Sequence, residues 1–407
     1  MQDAGARAIA ASFDLRSLPP TFYDDPYPVY RVLRETEPVR AMPDGSYFLT
    51  RYKDLVAVYQ DQAAFSSDKK EEFRPKFGDS PLYRHHTTSL VFSDPPLHTR
   101  VRRLMMGALT ARHIAAMTPG LIALVDRLLD RMAEKSQVDL IEDYAAQIPV
   151  EIIGNMLGVP VDQRGPLRDW SLAVLGALEP TLTDEQMRRG NDAVRDMEIW
   201  LDGLIADRRA RPGDPDVDAL TRLIQGESNG ETLSAAELVQ NCIFLLNAGH
   251  ETTTNLIGNS LAILEDWPDQ KARLIADPGL TKTAVEEFLR FESSNQLGNR
   301  ITTRQVEIGG VTLPAQTRIT LCIGAANRDP AQFADPETLD IGRTQNRHLA
   351  FGAGPHQCAG MNLGRLEGKV AVERLLARFP KFRIDGPRVR GGRARFRGFY
   401  SLPARLA

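Results

Sequence analysis

A lone cysteine in a glycine-rich segment is the side chain of this sequence best suited to bind a metal ion. Cys358 lies in Phe351-Gly-Ala-Gly-Pro-His-Gln-Cys-Ala-Gly360, directly before residues 361–379, whose apolar side chains recur at helical spacing. Amide N–H groups near a helix start predict a lowered thiol pKa, and a thiolate is a soft ligand for iron. No second cysteine accompanies it, which argues against a zinc or iron–sulfur site. The alternative interpretation is a buried, inert cysteine in a glycine turn.

An acid and an alcohol are adjacent in the segment CIFLLNAGHETTTN, residues 242–255, which is apolar in its first half and polar in its second. Glycine inside a helix is unfavourable by about 1 kcal/mol relative to alanine. Thr252 can bond back to a carbonyl one turn earlier and bend the helix. A carboxylate from Glu251 and this hydroxyl, placed at a local opening of a kinked helix, could deliver protons to a bound molecule. The alternative is a slightly distorted buried helix with a solvated glutamate.

Two further pairs of charged residues have helical spacing. Glu287 and Arg290 are three residues apart on the predicted helix 281–291, and His98 and Arg102 are four apart on another. Taken alone, the first pair would be an exposed ion pair worth a few tenths of a kcal/mol. The second pair would by itself be a solvated basic face.

Taken together, these segments resemble the cytochrome P450 family. The resemblance implies a mainly α fold with a small β portion, a single domain over residues 1–407, and an enclosed haem. It also implies that Cys358 is the iron ligand of haem b and that O₂ is a co-substrate. Glu251 and Thr252 become the implied catalytic pair. Arg343 becomes the third member of a buried structural network with Glu287 and Arg290.

The resemblance also assigns residues to the cofactor and departs from the family at one place. The implied cofactor-binding residues are His98, Arg102, Ala248, Gly249, Arg300, Phe351, Gly352, His356, Cys358 and Gly360. Buried propionates need cationic partners, which the basic members of this set would supply. The family usually has Pro-Val at positions 294–295, whereas this chain has Ser294-Asn295. The polar segment 293–299 is expected beside the haem, where its role toward substrate stays open.

The substrate pocket is expected to be apolar with a few polar groups, as binding sites commonly are. The candidate pocket residues are Leu90, Phe92, Trp170, Leu175, Phe244, Asn295, Gln296, Leu297 and Phe399. Asn295, Gln296 or Arg84 could recognise a carboxylate or hydroxyl group. Surface or backbone-capping roles are the alternative for these three.

The implied activity is insertion of one oxygen atom of O₂ into a C–H bond of a small, largely apolar organic substrate, with aromatic compounds among the candidates. Hydroxylation and oxidative dealkylation both fit. Ferredoxin and ferredoxin reductase are the implied electron donors, and Arg103, Arg365 and Lys369 are candidates for docking them; the alternative is ordinary surface charge. Rival functions are a haem-thiolate peroxygenase, a non-catalytic haem-binding sensor, and a thiol hydrolase. The hydrolase is disfavoured because Cys358 and His356 are poorly placed to meet at i and i+2.

Several elements must position these residues. Ser234 and Glu237 form a predicted capping box that opens a long helix running to about Leu264. Residues 121–132 predict another helix, and 46–50 and 306–323 predict strands, the latter broken by glycines and a proline. Residues 211–216 and 226–231 read as loops. The C-terminal segment 398–403 resembles the family's terminal hairpin.

Composition excludes few functional classes but limits the partners. The 407 residues carry 50 Lys+Arg and 53 Asp+Glu, a net charge of −3, so nothing points to nucleic acid or to a membrane surface. Three cysteines suit a reducing compartment. The N-terminus shows no signal-peptide pattern, and no window approaches the roughly 20 apolar residues that a membrane span needs. We therefore expect a soluble, cytoplasmic protein.

Overall fold

A computed structural model describes residues 2–226 and 232–406, and helices form most of them. The α-helices are α1 (Gln2–Ala11), α2 (Pro20–Asp24), α3 (Tyr27–Thr36), α4 (Tyr52–Gln60), α5 (Lys70–Phe77), α6 (Pro81–Thr88), α7 (Leu97–Met106), α8 (Ala111–Ala133), α9 (Gln147–Met156), α10 (Leu167–Gly176), α11 (Asp184–Ala210), α12 (Ala219–Gln225), α13 (Ala235–Asp266), α14 (Pro268–Ala276), α15 (Thr281–Phe291), α16 (Ile323–Ala326) and α17 (Met361–Arg378). The predicted mainly α class is confirmed, as are the predicted helices at 121–132 and 281–291.

Short strands make up the β portion. They are β1 (Val39–Ala41), β2 (Tyr47–Leu49), β3 (Phe65–Ser66), β4 (Val138–Asp139), β5 (Leu297–Thr302), β6 (Val306–Ile308), β7 (Val311–Leu313), β8 (Arg318–Cys322), β9 (Arg383–Ile384), β10 (Val389–Arg390), β11 (Phe399–Ser401) and β12 (Pro403–Arg405). The largest sheet has the order β1-β2-β8-β5-β3, in which β2 and β8 are parallel and the other neighbours antiparallel. The predicted strands at 46–50 and 306–323 are confirmed.

The C-terminal strands differ from the expected hairpin over 398–403. Strand β11 pairs with β10, and β12 pairs with β4 and β9, so the two do not pair with each other. The chain therefore makes a long connection, residues 391–398, between β10 and β11. This connection is called the arginine loop below, because Arg393, Arg395 and Arg397 lie on it.

Helix α13 passes through the centre of the molecule. Ser234 and Glu237 form the predicted capping box in both directions, with N···O distances of 3.2 and 2.9 Å. The helix continues to Asp266, two residues beyond the predicted end. Its side chains pack among α9, α10, α11, α15 and α17. A helix buried on nearly all sides is the reason why its sequence is apolar on more than one face.

A buried ion network fixes the segment that leads to the cysteine loop. The Glu287 carboxylate accepts N–H bonds from Arg290 at 2.7 and 2.8 Å and from Arg343 at 3.1 Å, and Glu287 and Arg290 are fully buried. The same carboxylate accepts bonds from the Asp340 backbone and the Asn346 amide. Because a buried charge needs compensation, these bonds tie residues 340–346 to α15.

A separate apolar cluster forms around the first three helices. It contains Phe13, Phe22, Tyr30 and Phe48, whose rings contact one another, together with Leu297 and Cys322. We call it the N-terminal cluster. It packs against the end of the main sheet at which β5 begins.

The loop predicted at 211–216 follows the end of α11 at Ala210 and is confirmed. Of the loop predicted at 226–231, residues 227–231 lie outside the described residues. Within the described ranges, no single helix is long and apolar enough to cross a membrane. One bent pair, Leu97–Leu109 with Ala111–Ala133, passes by length and composition.

Candidate active site

The cysteine loop is held in shape by its own backbone. The Cys358 N–H donates to the Phe351 carbonyl at 2.9 Å, and Gly352 and Gly354 have φ angles of +65° and +69°, which favour glycine. A Cβ at Gly354 would collide with the carbonyl of Tyr59 on α4. Gly360 then caps α17. The glycines are therefore required by the close approach of this loop to α4.

The Cys358 thiol faces an internal void. Its side chain is accessible, yet protein atoms surround it so densely that burial raises the pKa of the thiol. Both observations hold for a thiol that faces a space inside the fold. The Gly360 N–H, Arg102 and Arg365 lower this pKa, but by less than burial raises it. The predicted lowering by an N–H group at the helix start is therefore present, at Gly360, but burial outweighs it.

Helix α13 forms a second wall of this space. One face of the helix carries a row of accessible side chains, called the accessible stripe below. Between Leu238 and Leu264 every side chain is buried except those of Phe244, Ala248, Gly249 and Thr252. Their spacing of three to four residues places them along one helix face. These positions were all predicted to contact cofactor or substrate.

Two of these positions show specific contacts. Thr252 Oγ1 donates to the Ala248 carbonyl at 2.8 Å, which confirms the predicted bond to the preceding turn. A Cβ at Gly249 would lie 2.9 Å from Ile153 Cδ1, so glycine permits the close packing of α13 on α9.

Glu251 forms a buried ion pair that the sequence did not predict. Its Oε1 lies 2.6 Å from Arg393 Nη1, while its Oε2 is buried without a partner. Arg393 also donates to the Leu172 carbonyl at 3.0 Å. Burial raises the pKa of Glu251 to about 7, against the lowering effect of Arg393. A carboxyl group with this pKa can take up and release a proton near neutral pH.

The predicted propionate-binding residues form a cluster of two arginines and two histidines, called the propionate cluster below. The rings of His98 and His356 stack with centroids 3.8 Å apart, and Arg102 donates to the Gln357 carbonyl at 2.7 Å. Arg300 lies over the Tyr59 ring at 5.3 Å. Within the described chain, no ion pair is formed by His98, Arg102 or Arg300.

This cluster fits an anionic cofactor. The Nε2 of His98 is buried without a hydrogen-bond partner, and burial, followed by the charge of Arg102, lowers the pKa of His98 to about 4. Two arginines without ion pairs in the described chain, beside two neutral imidazoles and near an accessible thiol, fit the two propionates and the iron of haem b.

The apolar pocket candidates lie around α13. Phe244 is on its accessible stripe, and α10, which carries Trp170 and Leu175, packs against it. The Leu90 N–H donates to the Asn241 side chain of the same helix, and Phe92 contacts the Phe73 ring at 5.2 Å. Phe399 is buried on β11, with Arg390 4.2 Å from its ring centroid.

The polar candidates lie elsewhere. The Gln296 amide donates to the Ser293 carbonyl at 2.7 Å and to the Tyr27 hydroxyl at 3.3 Å, which places it at the N-terminal cluster with Leu297. Asn295 forms a backbone bridge with Phe396. Arg84 is paired with Glu198 through both carboxylate oxygens. Among these groups, the side-chain oxygens of Asn295 and Gln296 are both buried without a hydrogen-bond partner.

The arginine loop holds the residues that sequence reasoning missed. Arg393 and Arg395 lie in a run of five arginines over residues 388–397. Such a run is normally a solvated face, so it gave no reason to expect a site. The signal that could have indicated a site is that these arginines alternate with Gly, Ala and Phe, which is unusual for a solvated run of charges.

Comparison with known proteins identifies one family across most of the chain. Residues 38–385 match the family model described as Cytochrome P450. The chain is 38% identical over 368 residues to the vitamin D(3) 25-hydroxylase of Pseudonocardia autotrophica, covering 89% of each protein. It is 36% identical over 400 residues to the 6-deoxyerythronolide B hydroxylase of Saccharopolyspora erythraea, covering 95% of this chain and 97% of that one. The structure of P450BioI in complex with hexadec-9Z-enoic acid ligated acyl carrier protein has a TM-score of 0.90 and 32% identity, covering 95% of this chain and 100% of that chain.

Replacing Glu251 by Gln should change stability in a pH-dependent way. The folded-state pKa of Glu251, about 7, lies above the ordinary value of 4.5. Protonation of this group therefore contributes to the free energy of unfolding fully below pH 4.5, and the contribution is lost as the pH rises through 7. Glutamine does not titrate. The difference in the free energy of unfolding, wild type minus variant, should therefore fall by up to about 3 kcal/mol as the pH rises through this window. Urea unfolding at successive pH values measures this difference.

The matched control for that measurement is Glu185→Gln, because Glu185 is exposed on α11. Its difference from wild type should stay nearly constant over the same pH range. A Glu251→Gln difference that is equally constant would contradict a raised Glu251 pKa.

Proposed function

Because this chain belongs to the cytochrome P450 family, we propose that residues 1–407 act as one monooxygenase domain on small, largely apolar organic substrates. Members of the family are haem b-dependent oxidoreductases that use O₂ as co-substrate, and this chain is one of them. Hydroxylation or oxidative dealkylation of a C–H bond is the proposed reaction. The observation that supports it most strongly is the Cys358 thiol, held by a glycine loop so that it faces an internal void.

We assign the cofactor contacts as follows. Cys358 is the proposed iron ligand, and the propionate cluster of His98, Arg102, Arg300 and His356 is proposed to bind the propionates. The proposed remaining contacts are Ala248, Gly249, Phe351, Gly352 and Gly360. Haem b, when bound, supplies a redox-active iron at which O₂ is reduced and oxygen is inserted.

Proton delivery is assigned to Glu251 and Thr252. The Thr252 hydroxyl lies on the accessible stripe of α13, where it can donate a proton or hold a water molecule. Glu251 is buried beside it, and the pKa of about 7 lets this carboxyl group resupply that proton. Arg393 holds one oxygen of the carboxylate and leaves the other without a partner. Arg393 is thus a positioning residue for the acid.

The family requires a redox partner, and we propose that this partner is a ferredoxin with its reductase. Helices α15 and α17 form a groove lined by Lys282, Arg365, Lys369 and their neighbours. Arg365 is paired with Glu286 at 2.7 Å and lies over the Phe351 ring at 4.7 Å, so it connects this groove to the cysteine loop. An acidic ferredoxin would therefore be bound mainly by the two lysines. Arg103 lies on α7 and does not line the groove.

We also propose a cytoplasmic location, because the cysteines of the described chain are unpaired. Recovery of the native protein in a periplasmic or membrane fraction would contradict this proposal.

Thr252→Ala should uncouple the consumption of electrons from the donor from the formation of product. Without the hydroxyl, protons reach reduced dioxygen less selectively, so peroxide should increase and product per electron pair should fall by roughly tenfold or more. The measurement is product and peroxide per reduced cofactor consumed. Thr254→Ala is the matched control, since Thr254 makes the same kind of bond, to His250, but is buried. Equal coupling in both variants would contradict the assignment.

Isotope labelling under ¹⁸O₂ tests the function itself. A monooxygenase incorporates one labelled oxygen atom into product when electrons come from a ferredoxin. A peroxygenase would incorporate label only from labelled peroxide and would need no electron donor. A hydroxylated product that lacks label from ¹⁸O₂ would overturn the proposed function; after a dealkylation the label is expected in the released aldehyde, which is trapped before it exchanges with water.

Charge reversal tests the docking groove. The double change Lys282→Glu and Lys369→Glu should slow ferredoxin-driven reduction by roughly tenfold at low salt and flatten its salt dependence. The measurement is the reduction rate against ionic strength. Arg188→Glu, on the exposed face of α11, should leave both unchanged. Equal rates in the double variant and the control would place docking elsewhere.

A further inference from the structure

A second cationic site lies two residues after Arg393 on the arginine loop. The Arg395 guanidinium donates from Nε to the Leu178 carbonyl at 3.3 Å, from Nη1 to the Leu297 carbonyl at 2.8 Å, and from Nη2 to the Asn299 side-chain oxygen. All three acceptors are neutral. In the described chain Arg395 forms no ion pair with a carboxylate.

The unused donors of Arg395 form a pair. A guanidinium has five N–H groups, and three are used by the bonds above, which leaves one on each terminal nitrogen. A guanidinium with a free N–H on each terminal nitrogen can donate to both oxygens of a carboxylate. Arg395 can therefore accept an anionic ligand without giving up its protein contacts.

The nearby carboxylates already have partners. Glu179 accepts the backbone N–H groups of Ala394 and Arg395, and Glu72 is paired with Lys69 at 2.6 Å. Burial still lowers the pKa of the Arg395 guanidinium despite both acids. Since the side chain is also partly accessible, it faces a space inside the protein.

Lys76 adds a second cation to this site. Its Nζ donates to the Glu179 carbonyl at 2.6 Å and lies 5.1 Å from the Phe77 ring centroid, with no ion pair in the described residues. Burial lowers the pKa of Lys76 to about 8, and the charge of Arg395 is the next cause. Two partly buried cations that repel each other leave a local excess of positive charge.

An aromatic wall adjoins the two cations. The His86 ring lies 5.8, 5.5 and 5.9 Å from the rings of Phe73, Phe77 and Phe92. Its Nε2 is buried without a partner. Burial, followed by the charges of His85, Lys76 and Arg395, keeps the pKa of His86 well below its usual value, so this wall is neutral.

The site adjoins the residues assigned to chemistry. Asn299, which binds Arg395, is followed on β5 by Arg300 of the propionate cluster. In the other direction Arg393 binds Glu251 on α13. The arginine loop thus spans from the proposed cofactor contacts to the proposed proton donor.

We propose that Arg395 and Lys76 bind a carboxylate on the substrate, so that the enzyme oxidises organic acids whose bodies are apolar. This inference rests on the proposed monooxygenase function and names its substrate class. The carboxylate lies against Arg395 while the apolar body packs along Phe92, the partly accessible ring of the aromatic wall. Of the three polar residues considered from the sequence, Arg84 is already bonded to Glu198 and the Gln296 amide to Tyr27 of the N-terminal cluster, while Asn295 is a neutral amide with no charge to offer a carboxylate.

Binding to the haem-loaded enzyme tests the proposal. The probes are decanoic acid and 4-phenylbutanoic acid, each compared with its methyl ester, by calorimetry and by the spin-state change of the haem. Wild type should bind at least one acid more tightly than its ester. Arg395→Met should weaken acid binding by roughly tenfold to a hundredfold and leave ester binding within about threefold.

Further variants separate recognition from loop stability. Lys76→Met should weaken acid binding in the same direction, and Arg395→Lys should restore part of it, because both retain most of the loop's bonds. Arg388→Met is the control, since Arg388 pairs with Asp266 at the surface. It should bind acids as wild type does.

Two results would overturn the proposal. One is that wild type binds neither acid more tightly than its ester. The other is that Arg395→Met and Lys76→Met both keep wild-type acid affinity. If Arg395→Met does not fold, Lys76→Met and Arg395→Lys decide the matter. Acids that bind through Arg395 but are never oxidised would instead contradict the proposed function, and oxidation of neutral compounds alone would contradict only this inference.

Discussion

A thiol that faces a void inside a helical core is the constraint on which the rest of the structure depends. Exposing Cys358 to an internal space requires a loop with left-handed glycines and a close approach to the Tyr59 carbonyl. A protein interior is normally close-packed, so such a space persists only where walls on several sides are fixed independently. The stripe on α13 and the bonds of Glu287 to residues 340–346 supply two of those walls.

The buried charges of this protein are compensated to two different degrees. Glu287 is fully compensated by Arg290 and Arg343, which suits a structural role because no ligand is needed to complete it. The groups assigned to cofactor, proton and substrate are compensated only in part: His98 keeps an unpartnered nitrogen, Glu251 an unpartnered oxygen, and Arg395 two unused N–H groups. Incomplete compensation raises the free energy of the protein alone, and binding of cofactor, proton or substrate offsets it.

Local signals explain what the sequence predicts and what it does not. The capping box at Ser234, the bond from Thr252 to Ala248 and the strand breaks near Gly309 depend on residues a few positions apart, and all are present. The pairing of Glu251 with Arg393 spans 142 residues, so it depends on how the chain closes after β10. The thiol pKa shows the same division: the lowering by the N–H group at the helix start is local and was predicted, whereas the burial that outweighs it comes from the whole fold.

The absorption spectrum of the reduced, CO-treated protein tests the central claim most directly, because the position of its Soret band reports whether a thiolate is bound to the haem iron. Wild type and Cys322→Ser, which alters a buried thiol in the N-terminal cluster, should both show a strongly red-shifted Soret band. Cys358→Ser should lose that band. A Cys358→Ser protein that keeps the band, or a wild-type protein that binds no porphyrin, would contradict the account.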